Sequence, residues 1–172
     1  MMTLESINLS IFTEKEKQPK LKSKNNDLAS PWKILIVDDE IAIHEMTKLA
    51  LNDFTFKRKN LTFLSAYSVQ DAKQMIKTHP DIVLMFLDVM MERDRTGLEV
   101  VEYIRKVLDN QLIRIVMRAG HANIMSEDIV SLNYDINDYK VKTALTIDKL
   151  SFVVLQGLKS YQQKAITQAK LL

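Results

Sequence analysis

The chain of 172 residues contains no cysteine, three glycines, three prolines and a single tryptophan. Without cysteine it can form neither disulfides nor thiolate metal sites, a composition compatible with a reducing compartment. The scarce glycines leave none in DDEIAIH, the segment after the first apolar run, where a dinucleotide-binding loop would need them. No apolar run approaches the ~18 residues of a membrane span. The opening MMTLESINLSIF has neither the basic start nor the continuous apolar centre of a signal peptide. An excess of one charge is missing too: 24 basic and 22 acidic residues leave a formal net charge of +2, too balanced for a nucleic-acid surface. These absences point to a soluble protein, with the cytoplasm as the expected location and neither membrane nor nucleic acid as a direct partner.

What is present suffices for one domain with an appendage. Hydrophobic residues make up 47% of the chain, enough for a core. Residues 13–31 are polar and Lys-rich, so 1–31 is expected to be a flexible tail. From Trp32 onward, short β-rich runs alternate with helical periodicity, the pattern of a parallel sheet with helices on both faces. Five such pairs can be counted.

The first strand is Lys33 to Val37, followed by a helix with Ala42, Met46 and Leu49 on its stripe and a long connection over 53–60. The second strand is 61–67. Ser68 is placed to cap the next helix, whose buried face would be Val69, Ala72 and Ile76 before His79-Pro80 ends it. Ile82 to Leu87 is the most apolar strand and belongs at the sheet centre. Leu98, Val101, Ile104 and Leu108 describe a third helix, Ile113 to Met117 a fourth strand, Ala122 to Leu132 a fourth helix, and Tyr134 to Tyr139 a fifth strand. The last segment, Ile147 to Leu172, repeats apolar residues at Leu150, Val154, Leu158, Tyr161 and Ala165. As one helix it would run about 39 Å, so its end is expected to project.

Three carboxylates stand out because they close apolar strands: Asp38 and Asp39 after KILIV, and Asp88 after IVLMFL. In an open parallel sheet the C-terminal strand ends share one edge, so these acids should converge there. Converging carboxylates repel unless a cation intervenes, and an oxygen-rich set suits Mg²⁺ completed by phosphate oxygens. Lys142, just beyond the fifth strand, would add positive charge at the same edge. Acids, metal and lysine together describe a phosphoryl-transfer site.

These residues resemble the receiver domain of bacterial two-component response regulators. ILIVDDE at the first strand, FLDVMM with GLE beyond it, and Asp138-Tyr139 followed by Lys142 fall in that family's order and spacing, over about residues 32–160. The resemblance implies a doubly wound five-stranded parallel α/β sheet of flavodoxin-like order 2-1-3-4-5, with the helix beyond residue 160 extending over 161–172 toward an output region. It implies Asp88 as the phosphoacceptor, Asp38, Asp39, Asp88 and the Met90 backbone carbonyl around Mg²⁺, and Lys142 pairing with the phosphoryl oxygens. It also implies a histidine kinase or phosphotransfer protein as partner, and a signalling module that catalyses only its own phosphorylation and dephosphorylation.

Two positions depart from the pattern. Ala119 stands where the family usually has Thr or Ser, so the hydroxyl that turns toward the phosphoryl group is missing and its coupling to the aromatic switch residue, Tyr139, is expected to be weakened. Thr143 replaces the proline that often follows the lysine. Arg93, Arg95 and Arg118 are candidates to line the acidic edge and dock a donor. A pseudo-receiver that binds partners without phosphorylation stays open. So does a phosphatase of the haloacid dehalogenase type, although its second acid, two residues after the nucleophile, is Met90 here. YDINDYKVKT and LDVMMERDRTGLEV resemble a receiver subgroup found ahead of cyclic-di-GMP turnover domains, and the last helix offers a seam for a parallel homodimer.

Overall fold

The computed structural model describes residues 30–91, 97–120, 138–141 and 146–171, with only the backbone described for 138–141. Five parallel strands form the sheet: β1 (Trp32–Val37), β3 (Lys59–Ala66), β4 (Ile82–Asp88), β5 (Arg114–Ala119) and β6 (Asp138–Val141). Their spatial order is β3-β1-β4-β5-β6, which is 2-1-3-4-5 when the parallel strands are counted alone. Every residue of β4 and β5 is buried, as continuous apolar runs covered on both faces require.

A sixth strand, β2 (Thr55–Phe56), pairs antiparallel with the start of β3 at the sheet edge. The connection expected over 53–60 is therefore a hairpin, and β3 begins at Lys59. Lys57 and Arg58 make its turn with φ of 50° and 62°, left-handed values at two residues that carry no glycine or asparagine signature. Trp32 covers the hairpin, its indole N–H donating to the Phe56 carbonyl at 3.1 Å.

Alternate residues of the strands feed two cores. Leu35, Val37, Met85, Leu87, Ile115, Met117 and Ala119 pack on the side of helices α2 (Val69–Thr78) and α3 (Gly97–Glu102). Ile34, Ile36, Leu84, Phe86 and Val116 pack with Leu51, Leu150, Val153, Val154 and Leu158 beneath α1 (Ile41–Ala50) and the last helix, α4 (Ile147–Ala169). Ser68 caps α2 as expected, accepting from the Asp71 N–H at 3.0 Å, and Ala72 and Ile76 are buried. In α4, Leu150, Val154 and Leu158 are buried, while Ile166 near its end and Leu171 beyond it are exposed.

Helix α1 turns the opposite way from the reading of its stripe. Ala42 is exposed, as are Met46 at 67% and Leu49 at 80%, whereas His44, Thr47 and the following Leu51 are buried. About 200° and 140° around the helix from Ala42, His44 and Thr47 satisfy their polar atoms with hydrogen-bond partners, which lets a polar pair occupy the inner face. Helix α3 is also modified: Tyr103–Val107 forms a π-helical turn, and Leu108 beyond it is exposed. Arg105 secures that end by donating to the carbonyls of Asn110 (2.6 Å) and Ile113 (2.8 Å). Strand β5 is Arg114–Ala119, shifted relative to the expected 113–117, and β6 runs to Val141 rather than Tyr139. The expected helix over 122–132 lies outside the described residues.

Candidate phosphoacceptor site

The parallel register carries the site. Val37 pairs with Leu87 in β1·β4, so Asp38 and Asp88 follow at the same height, and Asp88 pairs directly with Arg118 in β4·β5. Side chains alternate along a strand, so these three residues are consecutive cross-strand neighbours on one sheet face, the one beneath α1 and α4. Asp38 is fully buried and Asp88 is 2% exposed.

Local hydrogen bonds fix both carboxylates. The Glu40 N–H donates to Asp38 Oδ1 at 3.0 Å as the chain turns into α1, and the Met90 N–H donates to Asp88 Oδ1 at 3.1 Å. Each is a side chain accepting from the backbone two residues on, the turn for which Asp is suited. The carboxylates of Asp38, Asp39 and Glu40 each offer an oxygen within 4.8 Å of the others, with Asp39 and Glu40 exposed. Sequence reasoning named the first two and missed Glu40. Asp88, one strand over, is outside that convergent set.

Gly97 presses against the Asp88 backbone. A Cβ there would overlap the Asp88 carbonyl oxygen and come within 2.9 Å of Val89 Cα, while the Gly97 N–H donates to the Val89 carbonyl at 3.2 Å. Its φ is not positive, so close approach explains the glycine.

Arg118 is the residue whose role differs most from expectation. It is 3% exposed and so cannot dock a partner at the surface. Its Nη2 lies 3.6 Å from Asp38 Oδ2, its Nη1 donates to Thr47 Oγ1 at 3.0 Å, and its guanidinium lies 5.1 Å from the Phe86 ring centroid. Burial pushes its pKa below the ordinary value, opposed by the charges of Asp38 and Asp88; an arginine under such a shift remains a cation. Thr47 in turn donates to the Ile43 carbonyl at 2.7 Å.

His44 braces the other side. Its Nε2 lies 2.8 Å from the Asp38 carbonyl, which only accepts, so Nε2 carries the proton and Nδ1 accepts from the Ser65 hydroxyl at 3.0 Å. Burial holds the imidazole below its ordinary pKa of 6.5, against the pull of Asp38. The ring also packs on Tyr67, with centroids 4.4 Å apart.

Ala119 is buried in the α2–α3 core, and nothing but a methyl group stands at that position. Tyr139 lies in β6 opposite Met117, and Lys140 pairs with Arg118. Lys142, Arg93, Arg95 and the side chain of Tyr139 lie outside the described residues.

Known proteins share this fold. A family model for the response regulator receiver domain matches residues 34–151. The 3'3'-cGAMP-specific phosphodiesterase 2 of Vibrio cholerae is 38% identical over 138 residues, covering 80% of this chain but 26% of its own length, so the chain spans about a quarter of that relative. Among solved structures, a receiver domain protein from Clostridium thermocellum superimposes with TM-score 0.63 at 20% identity, covering 78% of this chain and 98% of its own. A CheY-like receiver from Methanospirillum hungatei gives 0.62 at 22%, with the same coverages. No helix among the described residues is long and apolar enough to cross a membrane. With an acid-ended parallel sheet in the expected order and a family match over most of the sheet, the chain belongs to the receiver-domain family of response regulators, and is a signalling module.

Proposed function

We propose that this receiver is switched by phosphorylation of Asp88. The observation that carries the reading is the buried Asp88 closing the central strand beside Asp38, with Asp39 and Glu40 exposed at the same edge. An Asp88 carboxylate oxygen attacks the phosphorus of a phosphohistidine, on a histidine kinase or phosphotransfer protein, or of a small acyl phosphate. The bond from phosphorus to the leaving nitrogen or oxygen breaks, its electron pair departs with the leaving group, and Asp88 becomes an acyl phosphate. The added charge of about −1.5 to −2 is the signal.

Asp38, Asp39 and the Met90 carbonyl, with Asp88, are the proposed holders of Mg²⁺. The convergent oxygens of Asp38, Asp39 and Glu40 support a hard cation there. When bound, Mg²⁺ supplies charge neutralisation between the carboxylates and the phosphoryl oxygens. Lys142 is assigned to pair with those oxygens, and Tyr139 to the switch. For the whole protein we read a histidine kinase upstream and a cyclic-dinucleotide-hydrolysing region as output, supported by the Vibrio cholerae relative. Leu150, Val154 and Leu158 of the expected seam are buried in the core, so pairing of two α4 helices in this reading falls to the far end of the helix, where Ile166 is exposed, and is checked by light scattering with and without a phosphoryl analogue.

Incubation with acetyl phosphate and Mg²⁺, followed by intact mass, tests the proposal: one phosphoryl group is added, and the addition is lost in Asp88→Asn and on chelation. A pseudo-receiver is the second reading, favoured by the Arg118 guanidinium already lying 3.6 Å from Asp38. It predicts no adduct in the wild-type chain.

A further inference from the structure

We propose that Arg118 is a positioning residue of the acid site: an internal counter-cation that holds the Asp38 carboxylate and competes with the divalent cation for it. The inference rests on the metal-dependent reading of the site given above. A guanidinium 3% exposed needs a counter-charge, and the register supplies two, Asp88 beside it and Asp38 one strand further. The reverse also holds. Clustered carboxylates repel one another, and a fixed cation relieves that repulsion when no metal is bound.

The guanidinium is held loosely enough to yield. Its contact with Asp38, at 3.6 Å, is an ion pair longer than a hydrogen bond, and its Nε and Nη2 make no hydrogen bond among the described residues. Its anchor is Thr47 on α1, through Nη1. Arg118 and Thr47 also line an open groove of about 220 Å³ between α1 and α4, with Ile43, Met46, Ile147 and Leu150 on its walls. A divalent ion among the acids repels the guanidinium from Asp38, and this groove is the space into which it moves. Arg118 thereby links the state of the acids to α1, in a chain whose position 119 offers no hydroxyl.

Mg²⁺ titration calorimetry on the full 172-residue chain provides the test. Removing a unit charge this close to the metal tightens Mg²⁺ binding about tenfold in Arg118→Met, whereas Arg118→Lys, which keeps the charge, stays within about twofold of wild type. The melting temperature of Arg118→Met is lower without Mg²⁺ and rises further with it than in wild type. A merely structural arginine predicts the opposite sign, so a folded Arg118→Met with unchanged or weaker Mg²⁺ affinity overturns the inference. Wild-type protein supplies an arm that holds even if Arg118→Met does not fold. The Arg118 Nε–H resonance, assigned by its absence in Arg118→Lys, and the Thr47 methyl resonance shift together at the Mg²⁺ midpoint; stationary resonances overturn the inference. Wild-type protein that binds no Mg²⁺ and takes no phosphoryl group refutes the functional reading itself, which is a different outcome from normal binding that ignores Arg118.

Discussion

Replacing Gly97 with alanine tests whether the start of α3 is pressed onto the acceptor strand. The new methyl would overlap the Asp88 carbonyl oxygen and lie within 2.9 Å of Val89 Cα and 3.1 Å of the Asp88 carbonyl carbon. All three obstacles are backbone atoms, so no rotamer change relieves them and either β4 or α3 must shift. Overpacking of this kind costs up to about 3 kcal/mol. Alanine returns at most about 1 kcal/mol through helix propensity, less at a first helical residue. The net loss is about 2 kcal/mol, which lowers the melting temperature by roughly 4–8 °C for a domain of this size. Urea unfolding with an unchanged slope measures it. Gly120→Ala is the control, because a Cβ at Gly120 meets nothing within 4 Å, and it should lie within about 0.5 kcal/mol of wild type. Gly97→Ala indistinguishable from Gly120→Ala would refute the packing argument.

Two further predictions concern groups beside the acids. Because burial lowers the folded-state pKa of His44 below 6.5, the unfolded chain takes up the proton first as pH falls. The stability from the neutral imidazole is therefore complete above pH 6.5 and is lost below it, toward the lower folded-state pKa. Urea midpoints measured near pH 7.5 and 5.5 should fall further apart in wild type than in His44→Gln, and equal falls would contradict the assignment. Restoring a hydroxyl with Ala119→Thr should enlarge the spectroscopic response to a phosphoryl analogue while phosphorylation by acetyl phosphate stays within about twofold; an unchanged response and oligomeric state would show that the missing hydroxyl is not the weak link.

The acids were legible in the sequence because a carboxylate ending an apolar run is a positional signal: strand order then dictates where it lies. Ser68 and the Ala72–Ile76 face were legible for the same local reason. Arg118 was legible as a candidate for the acidic edge, but its burial, and the inward faces of Thr47 and His44, were not. Thr47 and Arg118 are 71 positions apart, and His44 and Ser65 are 21 apart, so the bonds that allow their burial exist only once the strands are side by side. Without those partners the apolar Ala42, Met46 and Leu49 form the more plausible inner stripe of α1, and that inference fails for this reason. The hairpin over 55–66 was hidden by a turn built from Lys57 and Arg58, and the π turn by its dependence on Arg105 reaching carbonyls beyond the helix.

The central claim is that Asp88 carries the phosphoryl group. Borohydride reduction after treatment with acetyl phosphate and Mg²⁺ converts an aspartyl phosphate to homoserine, and peptide mass spectrometry then locates it. The account predicts homoserine at position 88 and nowhere else; modification at Asp38 or Asp39, or none at all in folded wild-type protein, would contradict it.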